Sequence, residues 1–323
     1  MPEIGRKEAA ILRVLGQYSM PLGAAAIARE LVSYGIDLTE RAVRYHLQRL
    51  DDAGLTESRG RSGRVLTDAG RAELDNARVT DKVALAFARL EALAYQTTFD
   101  PATGHGLVVL NISLFHRSDF DHALRAMRPV FLSRLATSDL VAVFDAGQSV
   151  GDMVVPRGMV GLGTVCSATI NGVLVRAGIP LHSEFGGLME IIGHEPARFT
   201  EIVMYRGTSI DPVEMFIKSQ ATSVGQAATT GRGKVGAGFR TCPSVARAHV
   251  LRLLDDLSPW RLRGVVAVGN PGQSLLEMEV GIGRVGIVVC AGLNPVAAAE
   301  EAGIPTVSKA LATVFEYTDL QPV

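Results

Sequence analysis

Thr39-Glu40-Arg41-Ala42-Val43-Arg44-Tyr45-His46-Leu47-Gln48-Arg49-Leu50, followed shortly by Ser58-Arg59-Gly60-Arg61-Ser62-Gly63-Arg64-Val65-Leu66, decides how the first part of the chain folds. Val43, Leu47 and Leu50 recur at helical spacing and share one face, and Thr39 is a good N-cap for a helix over about 40–53. The opposite face carries Arg41, Arg44, Tyr45 and Gln48. The second run is a glycine-rich turn bearing Arg59, Arg61 and Arg64 between strand-like flanks. Such a hairpin is thin enough to approach a groove and carries guanidinium groups for phosphate or minor-groove contact. Upstream, helices are predicted over about 6–17, with Ala9, Ile11, Leu12 and Leu15 inward, and 23–33, with Ala26, Ile27, Leu31 and Val32 apolar. Gly35 ends the second by allowing positive φ. Another helix starts near Thr67–Arg71. The pattern predicts a winged helix-turn-helix over 1–78. Its third helix enters a major groove of double-stranded DNA, where Arg and Gln can read base edges. His46, between apolar positions, reads as a packing residue. An interaction module with a solvated charged face would share these helices, and the arginine-bearing wing favours DNA.

Composition fits that local reading. The 323 residues are 47% hydrophobic and 20% charged, which predicts a globular chain of about two domains and excludes disorder over most of its length. Thirty-two basic against 33 acidic residues gives no global pull on nucleic acid, so contact must come from a patch. Cys166, Cys242 and Cys290 are few and odd in number, and read as small buried hydrophobes in a reducing compartment. No apolar run reaches the roughly 18 residues of a spanning helix, and the charge-alternating start is no signal peptide. The expectation is a cytoplasmic protein with no membrane contact.

Beyond residue 78 the pattern changes. A connecting or dimerising helix is predicted within 79–100, with Val83, Leu85, Phe87, Leu90 and Leu93 at helical spacing. From there to 323, short β-branched runs read as strands at 106–115, 140–144, 160–170, 264–268 and 285–290. Helical patterns lie between or beside them at about 119–135, 171–178, 211–219, 243–257 and 294–302. The fold class is therefore α+β: the winged helix, then an α/β domain over 101–323. That domain looks internally duplicated. Gly147-Gln148-Ser149, Gly161-Leu162-Gly163, Val165-Cys166, Asn171 and Ala177-Gly178-Ile179-Pro180 recur in order as Gly272-Gln273-Ser274, Gly281-Ile282-Gly283, Val289-Cys290, Asn294 and Ala302-Gly303-Ile304-Pro305.

Motifs of catalysis and cofactor binding are weak. Gly147–Gly151 matches G-x-S-x-G, but residues 152–156 do not read as a helix, so a hydrolase with Ser149 as nucleophile is disfavoured. Gly281–Gly286 and Gly231–Gly236 match G-x-G-x-x-G; the first is followed by a strand and the second is read as a loop, so neither suits a dinucleotide. Neither H-E-x-x-H nor C-x-x-C occurs. No enzyme, cofactor or metal is expected.

A winged helix followed by Gly163-Thr164-Val165-Cys166-Ser167, Asn171-Gly172-Val173, Phe185-Gly186-Gly187, Tyr205-Arg206-Gly207-Thr208, Asp211-Pro212 and Glu316-Tyr317 resembles the NrpR family of nitrogen-responsive repressors. Some members carry two regulatory domains, whereas this chain has room for one. The resemblance implies a repressor of nitrogen-assimilation genes. It binds inverted-repeat operators as a homodimer or higher oligomer and is released by the effector 2-oxoglutarate. It leaves open a second regulator as partner, and a co-repressor acting through protein contacts. A dicarboxylate needs converging donors, so Thr164, Cys166, Ser167, His182, Arg206 and Thr208 are the candidate effector contacts.

Overall fold

Three helices and a short hairpin, α1 (Arg6–Gly16), α2 (Ala24–Val32), α3 (Glu40–Asp52), β1 (Thr56–Ser58) and β2 (Arg64–Leu66), precede α4 (Asp68–Asn76) in the first of two units, residues 1–82 and 83–323. The computed structural model describes residues 5–18, 20–76, 85–151 and 153–323. Ile11, Leu12, Ile27, Leu31, Val43, Leu47 and Leu50 form the buried centre of the first unit. Of the apolar residues expected on α2, Ile27 and Leu31 are buried and Val32 is exposed. Gly35 has φ +67°, which ends α2 as expected. The wing is antiparallel, with Thr56 opposite Leu66 and Ser58 opposite Arg64, and Leu22 bridges to Arg64 as a third short pairing.

The second unit begins with α5 (Leu85–Gln96), inside the predicted connecting helix; residues 77–84, and Val83 with them, lie outside the described residues. Its body is built from β3 (Leu107–His116), α6 (Phe120–Leu132), β4 (Leu140–Phe144), the hairpin β5 (Ser149–Val150) and β6 (Met153–Val154), β7 (Met159–Val165), α7 (Ala168–Arg176), β8 (His182–Ile192), β9 (Glu195–Met204), α8 (Pro212–Lys218), α9 (Val224–Thr230), β10 (Arg232–Pro243), α10 (Arg247–Leu257), β11 (Val265–Val268), β12 (Arg284–Cys290), α11 (Asn294–Glu301), β13 (Val307–Glu316) and β14 (Gln321–Pro322). Two five-stranded antiparallel sheets result, ordered β13-β3-β7-β4-β14 and β11-β12-β10-β8-β9. The predicted strand over 160–170 stops at Val165, because the chain turns there into α7. The Gly231–Gly236 match, read as a loop, runs into strand β10.

The duplication is real at the level of elements. The series β3-α6-β4-β7-α7-β8 recurs as β10-α10-β11-β12-α11-β13. Each copy completes the other's sheet: β8 pairs with β10, and β13 pairs with β3. The Ala-Gly-Ile-Pro motifs, the Gly-Gln-Ser motifs and strands β7 and β12 all keep a spacing of 125 residues. That register corrects two expected matches. Gly161 and Gly163 lie within β7, whereas Gly281 and Gly283 precede β12. Asn171 is inside α7, whereas Asn294 opens α11. Two cores hold the sheets. Met127, Val130, Ala227, Val296 and Ala299 of α6, α9 and α11 meet Phe185 and Phe239, which stack 5.1 Å apart. Val173, Leu174 and Leu257 of α7 and α10 meet Leu110, Ile112, Ile287 and Val289.

Candidate nucleic-acid interface and ligand site

The outward face of α3 is a product of helical periodicity and one cap. Thr39 Oγ1 accepts the N–H of Ala42 at 3.2 Å, and burial of Val43, Leu47 and Leu50 forces Arg41, Arg44, Tyr45 and Gln48 outward, where all four are exposed. Arg44 pairs with Glu40 one turn back, and Gln48 donates to Asp52 at 3.0 Å. His46 does more than pack. Its Nδ1 lies 2.9 Å from Glu8 Oε1, which also meets Arg49 at 2.8 Å. Burial pushes the Glu8 carboxyl up, but the His46 hydrogen bond and the neighbouring His46 and Arg49 charges bring it below its usual range.

The wing presents Arg59 and Arg61 to solvent, Arg59 beside Glu57 at 3.1 Å. Arg64 is placed differently. It is half-buried, and its Nε donates to Asp51 Oδ2 at 2.8 Å, while Thr56 donates to Asp51 Oδ1 at 2.5 Å. One carboxylate at the end of α3 thus fastens both strands of the wing. Asp51 and Glu8 were not among the residues singled out from sequence, since a lone acidic residue on a helix carries no local signal of such a contact.

In the second unit the six expected effector residues fall into four places. His182 and Arg206 meet: Arg206 Nη2 lies 2.8 Å from His182 Nε2, and His182 Nδ1 lies 3.0 Å from Glu184. Glu184 continues the chain by accepting from Thr241, which accepts from Arg284. Thr164 and Cys166 are buried at the end of β7, where burial pushes the Cys166 thiol up to about 12. Thr208 folds onto its own turn, donating to the Ile210 carbonyl at 2.7 Å. Ser167 Oγ accepts from Arg240 Nη2 at 2.9 Å.

Arg240, absent from the expected set, is the most unusual group in the unit. Its side chain is fully buried. Nε donates to Asn171 Oδ1 and Nη1 to the Gly238 carbonyl at 3.2 Å. Asn171 Nδ2 in turn donates to Ser183 at 3.0 Å. Burial lowers the Arg240 pKa, and desolvation raises that of half-buried Asp211, whose Oδ1 instead caps α8 through Val213 and Glu214. A charged residue inside the apolar run around Phe239 and Cys242 was the available sequence signal. A cavity of about 140 Å³ adjoins the cluster, with Asn171 and Ser183 in its lining. A larger groove of about 730 Å³ beside Trp260 and Arg176 holds none of the expected residues.

Ser149 opens the short strand β5 rather than a helix, so the geometry of a nucleophile elbow is not met. Among the described residues, no cluster of His, Cys, Asp and Glu could hold a metal, and no helix is long and apolar enough to cross a membrane.

Comparison with known proteins places both units. Residues 83–322 match the family described as NrpR regulatory domains NRD1 and 2, and residues 9–74 match the ribonuclease R winged-helix domain. The chain is 36% identical to the global nitrogen regulator NrpRI of Methanosarcina mazei, over 100% of its own length and 99% of the relative's. It is 31% identical to the global nitrogen regulator NrpR of Methanocaldococcus jannaschii over 92% of its length, but spans only 51% of that longer protein. A crystal structure of a nitrogen repressor-like protein from Methanococcus jannaschii superimposes with a TM-score of 0.62 at 25% identity, covering 74% of this chain and 98% of that one.

Proposed function

The chain belongs to the NrpR family of nitrogen regulators, and from that premise we propose that it represses nitrogen-assimilation genes as a cytoplasmic homodimer, released from operator DNA by 2-oxoglutarate. The observation that carries the DNA half is the exposed face of α3 set beside the arginine-tipped wing. Arg41, Arg44, Tyr45 and Gln48 read or position on the major groove. Arg59 and Arg61 contact backbone or minor groove, and Arg64 holds the wing at the angle at which they do so. A two-fold dimer would match an inverted-repeat operator. The effector acts by binding the two regulatory states with different affinity, which distance alone cannot supply.

Fluorescence anisotropy of a labelled nitrogen-operon promoter, at fixed salt, tests this reading. Specific binding reversed by 2-oxoglutarate and not by glutamate is the expected result. Arg44→Ala should weaken operator binding by roughly 1–3 kcal/mol and leave effector binding intact. Loss of both would overturn the division of labour between the two units.

A further inference from the structure

We propose that the groove of about 220 Å³ between the segments that follow α6 and α10 binds a phosphate group, held by Arg134, Arg261 and Arg263 with Ser138 as an added donor. None of the six expected effector contacts lies in its lining.

The duplication builds this groove. α6 and α10 begin 127 residues apart, at Phe120 and Arg247, and the same spacing separates Arg134-Leu135 from Arg261-Leu262. Each arginine follows its helix in the left-handed region: Arg134 has φ +63°, and Arg261, after the turn Ser258–Trp260 that extends α10, has φ +60°. A helix end of this kind ordinarily takes glycine, because a side chain there is strained. Both copies nevertheless place an arginine at it, and the fold brings the two into the lining of one groove. Strain of this sort collects where ligands are clamped. The two segments are also locked together. Ser138 bridges to Leu262, the Arg263 N–H donates to the Thr137 carbonyl at 2.9 Å, and a Cβ on Gly264 would come within 2.7 Å of Thr137 Cα. The guanidinium groups thus stand on a backbone that binding does not have to organise.

Charge selects the ligand. Arg261 Nη2 donates to Asp139 Oδ2 at 2.6 Å, so that cation is already paired. Arg263 donates from Nε to the Ser258 carbonyl at 3.0 Å, which leaves its two terminal nitrogens without a partner among the described residues. Arg134 is exposed and has neither an ion pair nor a side-chain hydrogen bond among the described residues. Cations favour helix C-termini, but Arg134 bonds to none of the last carbonyls of α6. Asp255 lies in an adjoining groove of about 270 Å³ that shares Arg134 and Arg263; it is exposed and makes no ion pair among the described residues. Two uncompensated guanidinium groups in one lining repel each other, and an anion between them removes the repulsion and accepts from both. Ser138 is buried, its Oγ accepts the Leu140 N–H at 3.1 Å, and its own O–H is left to donate. A phosphate carries about two negative charges at neutral pH and three or more acceptor oxygens, enough for two forks and a hydroxyl. A carboxylate, with one charge and two oxygens, leaves part of this donor set idle.

Isothermal titration of the full-length protein with inorganic phosphate, pyrophosphate and ATP, at constant ionic strength against a sodium chloride control, tests the site. Saturable binding of at least one of them is expected, and it should persist in the presence of 2-oxoglutarate. Tightest binding of ATP identifies a nucleotide as the source of the phosphate; equal or tighter binding of phosphate or pyrophosphate identifies the free anion. Arg134→Gly removes a cation and relieves the left-handed strain, so it should lose phosphate affinity at least tenfold and melt no lower than the wild type. Arg263→Gln, at an exposed position, should lose affinity to a similar degree with an unchanged melting temperature. A purely structural arginine gives the opposite result, a lower melting temperature in Arg134→Gly with phosphate affinity intact, and that outcome overturns the proposal. So do affinities within twofold of wild type in both variants, displacement of phosphate by 2-oxoglutarate, and binding of none of the three phosphates.

Discussion

Gly63 holds φ +116°, and a Cβ there would come within 2.3 Å of the Leu22 backbone. The wing can therefore lie against the segment before α2 only with glycine at this position. Gly63→Ala should cost on the order of 2 kcal/mol or more, read as a lower melting temperature of the winged helix and weaker operator binding. A variant that melts with the wild type would refute this. Glu8 gives a pH dependence of definite sign. Its folded pKa is depressed below the unfolded value near 4.5, so its contribution is complete above that value and is lost as pH falls through the folded one. Acid unfolding of the isolated winged helix should shift to lower stability over that window, and Glu8→Gln should flatten the shift. At this scale the sequence was half legible. The exposed residues of α3 follow from periodicity alone, because a buried stripe dictates its own opposite face. Arg240, Glu8 and Asp51 do not follow, since their partners lie on other elements far along the chain.

Most helices were legible to within a few residues from their apolar spacing, but the short α9 was not predicted. Strands were legible where a β-branched apolar run is short and bounded by turn residues. β4 and β12 are continuous apolar runs and stand out. β9 lies at a sheet edge with much of its length exposed, and β8 and β10 are interrupted by glycines and charges, so none of the three was among the predicted strands. The packing of α5 on α7 is the element-scale feature most open to test. An added Cβ at Gly172 would lie 2.3 Å from Thr97 and 2.6 Å from the Ala94 carbonyl. Gly172→Ala should cost about 1–3 kcal/mol by overpacking and alter release by the effector more than operator affinity itself. Thermal unfolding and the 2-oxoglutarate midpoint, measured together, check it; an unchanged midpoint with full stability would show that this seam carries no coupling.

For the whole molecule, the exchange of β8 and β13 between repeats sets what can fold alone. A fragment of residues 101–205 has β8 without β10, and β3 without β13. Unpaired strand edges of that length do not persist in monomeric form. Each half should therefore be unfolded or aggregated when made separately, and the two should gain structure on mixing with 206–323, as followed by circular dichroism. Residues 83–323, one compact unit, should fold without the winged helix. Sequence-distant pairing also predicts slow folding of that unit relative to the helical first one. The repeat motifs announced the duplication, but motif order says nothing of which copy's strand lies beside which, so the exchange was invisible until the sheets were seen. That exchange has an evolutionary reading. Two halves that each lend a strand to the other have the form of an ancestral pair of identical chains joined end to end. While such chains were separate, every substitution arose twice, once in each. Joined, they were free to differ, and Ser308 now faces Ser113 on one side while Ser183 faces Arg240 on the other.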